Sequence, residues 1–481
     1  MEGKKQNYTS ALIVLTTLFF MWGFITCMND ILIPFLKKMF ELNRFESMMV
    51  QFAFFTAYFV GSLIYFIISA RKGDPISKIG YKNGLLAGLL IAALASLMFY
   101  PAAQLQIFGL FLTALFVLAL GFTLLQIAAN PYVALLGPPE TASSRLNLSQ
   151  AFNSLGTTLA PIFGGYFVFH FFSKWGKPLF TSSGQPVLTD SGEQLSILGI
   201  QIPYLLFALL FILLAVLIAW TKLPRVTNPA QVKKGAGALK HRHLILGMVA
   251  IFLYVGAEVS IGSSFINYVG EILHYSEMEA KNFLAFYWGG AMIGRFLGAL
   301  SLSSMETIKK YVYMFLTSIV TFVLIYGVIF LESSGTFAFG RVAPFIIFLI
   351  LNYIGFLIGK SLPGRTLTVF ALIVIGLLTT TLLTDGLMAM WTVVGIGLFN
   401  SIMWSNIFTL AIKDLKEDSA QGSSLLVMMI LGGAIIPLLQ GAVADALNGY
   451  HYSFFVPILS YVYLAYYGWK GHVVKSPAVV K

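Results

Sequence analysis

Two carboxylates interrupt runs that are otherwise hydrocarbon. Asp30 lies in 11–36 (ALIVLTTLFFMWGFITCMNDILIPFL) and Glu258 in 244–269 (LILGMVAIFLYVGAEVSIGSSFINYV). A charge in a bilayer costs kilocalories, so such acids normally face a protein interior or a water-filled path and handle a substrate, an ion or a proton. A helix-end acid that snorkels to the headgroups is the alternative for Asp30, against which Ile31–Phe35 continues the apolar run. Glu258 has fourteen residues of its run before it and eleven after, which favours an interior position over snorkelling.

Amides accompany both acids. Asn29 adjoins Asp30, and in LLQIAANPYVALL Gln126 and Asn130 share a helix face four residues apart. Pro131 removes a backbone hydrogen bond there and frees carbonyls near Ile127. In RLNLSQAFNSLG, Asn147, Gln150 and Asn153 fall on one broad face. Carboxamides offer donors and an acceptor together, which suits sugar hydroxyls, whereas hydrogen-bonded glue between helices is the alternative for any single one. Near Glu258, Tyr254 shares its face at i−4. Asn267, nine residues on, falls on the opposite face unless Gly262-Ser263-Ser264 unwinds. Asn400, Trp404 and Asn406 lie in GLFNSIMWSNIF, where an indole suits the apolar face of a pyranose or simply packs.

The elements that must position these residues are membrane spans. Hydrophobic residues make up 58% of the 481 and charged residues 10%, with continuous apolar runs of about twenty residues. Continuous rather than alternating runs predict helices, not a barrel. Fourteen segments are expected, at 9–38, 48–69, 82–101, 106–136, 146–172, 203–221, 243–271, 281–303, 311–331, 342–359, 366–383, 387–411, 422–446 and 452–470. Lys4 and Lys5 before the first run resemble a signal peptide, but the run is too long and lacks a small-residue cleavage site, so it reads as a retained span.

If every segment crosses, Lys4, Lys5, Arg71 to Lys82, Lys309-Lys310, Lys360 to Arg365, Lys413 to Lys416 and the lysine-bearing tail share one side. The positive-inside rule makes that side cytoplasmic and places both termini inside; Lys37, Lys38 and Arg44 count against it. Residues 222–243 carry six Lys or Arg and no acid, and read as a cytoplasmic linker that can also meet anionic lipid. The expected domains are therefore 1–221, the linker, and 244–481 with one surplus helix pair within 311–383. Residues 173–201 read as a flexible outer surface loop. Gly61-Ser62 to Lys82 and Gly294-Arg295 to Tyr311 echo one another, a weak repeat of the kind that marks secondary transporters. Gly290, Gly294 and Gly298 form a small-residue stripe for helix packing.

Several classes are excluded. The net charge of +11 sits in short loops beside spans, so nucleic acid is not a partner. The single Cys27 excludes an intrachain disulfide and a multi-cysteine metal site. The six His are scattered except His241 and His243, and no zinc-protease, P-loop or nucleophile-elbow motif occurs.

Taken in order, FFMWGFITCMNDILIPFL, QIAANPYVALLGP, RLNLSQAFNSLG, FLYVGAEVSIGSSF and IFTLAIKDL with GSSLLVMMILGGAIIPLLQG resemble the fucose permease and glucose/galactose transporter group of the major facilitator superfamily. The resemblance implies two pseudo-symmetric six-helix bundles, here with the extra pair making about fourteen spans. It also implies alternating access and cation-coupled uptake of a monosaccharide. It assigns Asp30 to proton coupling and sugar binding, and Trp22, Gln150 and Asn153 to the sugar cavity. Fucose permeases carry a second essential Glu where this chain has Gln126, which holds no exchangeable charge. Glu258 stands where they have an amide, so the second carboxylate has an expected new position in the other half.

The expected protein is an all-α, multi-pass inner-membrane symporter, a monomer without cofactor, whose partners are a sugar and the bilayer. The coupling ion is H+, with Na+ as the alternative because a carboxylate with freed carbonyls also suits a hard cation. Passive facilitation and a transport-dead receptor or scaffold are the rival functions.

Overall fold

The computed structural model describes residues 8–42, 44–165, 176–181, 183–188, 194–225, 234–333 and 335–474. Within its helices, the side chains of residues 29–35, 37, 38, 44–49, 51, 161–165, 277, 278 and 332 lie outside the described set. The described residues form helices joined by short turns. In the first half of the chain these are α1 (Thr9–Met39), α2 (Arg44–Lys72), the short α3 (Pro75–Ile79), α4 (Tyr81–Leu105), α5 (Phe108–Leu135), α6 (Ala142–Gly165) and α7 (Leu198–Trp220). The second half holds α8 (Arg242–Leu273), α9 (Glu277–Ser301), α10 (Thr307–Glu332), α11 (Phe345–Gly359), α12 (Pro363–Leu383), α13 (Gly386–Asn400), α14 (Met403–Ala411), α15 (Ser419–Met428), α16 (Gly432–Ala446) and α17 (Phe455–Tyr466).

Among the described residues, eleven helical stretches are long and apolar enough to cross a membrane. At 1.5 Å per residue, twenty residues cover the ~30 Å hydrocarbon core. Each of the fourteen expected segments carries helix, but α11 has only 15 residues and α6 and α17 are not among the eleven. Residues 166–172 of the fifth segment lie outside the described residues.

Two compact units are present, Met1–Tyr132 with Leu155–Gly235, and Val133–Ser154 with Ala236–Lys481. In the first, α4 packs on α7 with Phe99 and Tyr204 stacked, ring centroids 3.7 Å apart. In the second, α8 packs on α16, α9 on α13, and α12 on α17. The glycine stripe sets the α9–α13 approach: a Cβ at Gly290 would meet the Leu398 backbone nitrogen at 3.2 Å, and one at Gly294 the Leu398 carbonyl at 2.6 Å.

Three readings are corrected. Residues 173–201 are not simply a flexible loop. Where described, they make antiparallel bridges Pro178–Ser196, Phe180–Pro186 and Leu188–Gln194, closed over buried Leu179, Val187 and Leu195. α7 begins at Leu198 rather than near 203, because Ile197, Ile200 and Gln201 are already buried. The segment 387–411 is not one rod: it breaks at Ser401 and Ile402 into α13 and α14.

Candidate functional site

That break exposes carbonyls that an unbroken helix would satisfy internally. Asn352 Nδ2 donates to the Leu398 carbonyl at 3.0 Å, Tyr254 Oη to the Asn400 carbonyl at 3.1 Å, and Arg295 Nε to the Ser401 carbonyl at 3.2 Å. Around it, α8, α9, α13 and α17 build a buried polar cluster in an otherwise apolar setting. Asn400 is its hub. Its Nδ2 donates to Tyr287 Oη at 2.9 Å, and its Oδ1 accepts from Tyr461 Oη at 2.7 Å. Tyr287 Oη in turn donates to the Glu258 backbone carbonyl at 3.0 Å.

Glu258 stands at the centre of this cluster. Its Oε1 lies 3.8 Å from Arg295 Nη2, and the two side chains are 12% and 15% exposed. Yet Oε1 has no hydrogen-bond partner among the described residues. An ion pair held at that distance, with a buried oxygen unsatisfied, is costly to keep unless the group does something. Arg295 interrupts the apolar run 281–303 as Glu258 interrupts its own, and that same anomaly was the signal by which sequence could have paired them.

α8 is unbroken from Arg242 to Leu273. Gly262-Ser263-Ser264 therefore does not unwind, and Asn267 stays exposed on the face opposite Glu258. Trp404 stacks on Phe408, ring centroids 6.1 Å apart, and its buried Nε1 has no hydrogen-bond partner among the described residues. Asn406 is paired: its Oδ1 accepts from Asn147 Nδ2 at 3.2 Å, and its own Nδ2 donates to the Pro363 carbonyl at 3.2 Å. Around that pair, Ser143 and Thr409 hydroxyls meet at 2.6 Å and Ser144 Oγ donates to the Ala299 carbonyl at 2.6 Å. On the same helix Gln150 is buried and Asn153 half-buried.

In the first unit, Trp22 on α1 and Gln126 on α5 both reach the hydroxyl of Tyr58 on α2, a residue not anticipated from sequence. Trp22 packs against Phe122 at 6.2 Å between centroids. Asn130 is fully buried with neither its oxygen nor its nitrogen hydrogen-bonded among the described residues, and Thr26 Oγ1 is likewise unpartnered. Buried amides are normally satisfied, so donors and acceptors left open suit a polar ligand. Asn29 and Asp30 lie on α1, and their side chains fall outside the described residues.

Residues 12–359 match the Major Facilitator Superfamily. The chain belongs to the major facilitator superfamily. Within it, the chain is a member of the fucose permease and glucose/galactose transporter group, as the motifs implied, and so a multi-pass membrane transporter rather than an enzyme. This facilitator is 41% identical over 469 residues to the glucose/galactose transporter of Brucella abortus, covering 96% of this chain and 94% of that one. To the L-fucose-proton symporter of Escherichia coli it is 29% identical over 474 residues, covering 95% and 92%. It also resembles the crystal structure of the Escherichia coli fucose:proton symporter, with a TM-score of 0.72 at 27% identity over 96% of this chain and 98% of that one.

Proposed function

We propose that this facilitator takes up a monosaccharide of the glucose, galactose or fucose type by proton symport through alternating access. The observation that carries the reading is Glu258, a carboxylate 3.8 Å from a guanidinium inside a 32-residue apolar helix, with one oxygen left without a hydrogen bond among the described residues. A residue so placed costs about 3 kcal/mol on insertion scales, and charge movement is the usual reason to keep it. Relatives named for glucose, galactose and L-fucose transport support the substrate class.

Asp30 and Glu258 are the coupling acids of this reading. Trp22, Asn29, Gln126, Asn130, Gln150, Asn153, Tyr254, Asn400, Trp404 and Asn406 are its sugar-site candidates, with Asn267 dropped because α8 does not unwind and the open amide of Asn130 and the open indole of Trp404 the best supported. Protons are favoured over sodium at Glu258, because a sodium site needs several oxygen ligands and the Arg295 guanidinium repels a cation. The proposed topology has fourteen crossings, six before a linker at 222–243 and eight after it, with an inserted pair within 311–383. Both termini then lie in the cytoplasm of an inner-membrane monomer. Uptake by the purified protein in proteoliposomes against a sugar panel, with pH and sodium gradients imposed separately, tests the function. Accumulation driven by the pH gradient is expected. Equilibration without accumulation under either gradient would mean passive facilitation.

A further inference from the structure

We propose that Arg295 is a positioning residue that ties the charge of Glu258 to the position of α6. The inference rests on Glu258 as a coupling acid. The Arg295 guanidinium serves three elements at once. Its Nε donates to the Ser401 carbonyl at the α13–α14 break, Nη1 donates to Ser154 Oγ on α6, and Nη2 faces Glu258 Oε1 on α8 at 3.8 Å. That last separation is within ion-pair range but too long for a hydrogen bond. A guanidinium is a planar fork whose donors move together, so the bond to Ser154 holds it short of the carboxylate.

Among the described residues, the other ionisable groups that face Glu258 are Tyr254 on α8, Tyr287 on α9 and Tyr461 on α17, all phenols. Arg295 is therefore the cation that can set the charge of Glu258 among the described residues. An opposite charge within a few ångströms favours the ionised carboxylate, and a fork-on-carboxylate hydrogen bond favours it more.

Ser154 lies on α6, which is unbroken from Ala142 to Gly165, so it moves when that helix moves. α6 meets α9 and α14 through the polar pairs Ser143–Thr409, Ser144–Ala299 and Asn147–Asn406, each worth about 1 kcal/mol net and so separable, and through one ring pair, Phe152 on Phe296 at 5.7 Å between centroids. When α6 withdraws, Nη1 loses its acceptor and the fork closes on the oxygen of Glu258 that lacks a hydrogen bond. The carboxyl then releases its proton to water at its exposed edge, and the carboxylate left behind pairs with the guanidinium. When α6 returns, Ser154 draws the fork back and the carboxyl can take up a proton again. Proton release is thus tied to helix position, with no contact between Arg295 and sugar.

The test is pH-difference infrared spectroscopy on the purified full-length protein, with the Glu258 carboxyl band identified by its disappearance in E258Q. S154A should lower the titration midpoint of that band, and R295Q should raise it, each by at least about one pH unit. If R295Q does not reach the membrane, S154A decides alone, because it removes a single hydroxyl. An unmoved midpoint in S154A, shifts of the same sign in both variants, or a Glu258 band that never titrates would overturn the proposal. The spectrum requires no sugar, so a failure of sugar uptake counts against the symport reading and leaves this readout standing.

Discussion

Tyr287 holds Glu258 by its backbone, donating 3.0 Å to the carbonyl, and not by its carboxylate. Tyr254 reaches the Asn400 carbonyl as well as the Glu258 side chain, so one hydroxyl keeps a backbone partner when the Glu258 charge is removed. Glu258→Gln should therefore fold and reach the membrane. It should abolish gradient-driven accumulation while retaining sugar exchange, because exchange never returns the empty carrier. Gln126→Glu in that background should not restore accumulation. Comparing accumulation with exchange in the same vesicles checks this, and accumulation surviving in Glu258→Gln would leave Asp30 as the coupling acid.

Gln150 and Asn153 are proposed sugar ligands on α6. Replacing either with Ala should weaken apparent sugar affinity by about 1–3 kcal/mol per lost buried hydrogen bond, without loss from the membrane. Competition binding with a panel of sugars measures it. Unchanged affinity in both variants would reduce the two amides to packing.

Asp74 precedes α3, outside the spans. Burial pushes its carboxyl above the ordinary aspartate range, against the opposing pull of hydrogen bonds from Ser77, Tyr65 and Ser69. A carboxyl whose folded pKa is raised stabilises the fold fully below its unfolded value of about 3.9 and loses that contribution as pH rises through the folded value. Asp74→Asn keeps a capping side chain and cannot ionise. The stability difference, variant minus wild type, should therefore grow as pH rises above about 4, as read by thermal unfolding in detergent. A difference independent of pH would contradict the assignment.

The topology is tested by reporter fusions. Gly184 sits at a turn with φ +83° and open space around it, so an inserted tag should be tolerated there. It should report outside, and a fusion at Lys481 inside. A tail outside would mean the crossing number is wrong by one.

Much of this was legible because charges are rare. Glu258 announced itself by depth in an apolar run, and the glycines at 290, 294 and 298 by their spacing, which the approach of α9 to α13 explains at 290 and 294 and the approach to Ile402 at 298. Pairings between distant segments were not legible, since a local period says which face a residue takes and not what meets it. Asn147 and Asn406 satisfy each other in part, and Asn400 is occupied by two tyrosine hydroxyls at its side chain. Ser154, Tyr58 and Tyr461 gave no signal, because hydroxyls are ordinary in spans. Arg295 does give one, as a lone charge within the apolar run 281–303. In 173–201, polar composition hid Leu179, Val187 and Leu195, which are buried.

In the proposed cycle sugar and protons cross together while Glu258 changes charge. Sugar added to lightly buffered proteoliposomes without a preset gradient tests it most directly, through the external pH. Wild type should alkalinise the medium as sugar enters, and Glu258→Gln should not. Sugar entry that leaves external pH unchanged, and accumulates only under an imposed sodium gradient, would contradict the account.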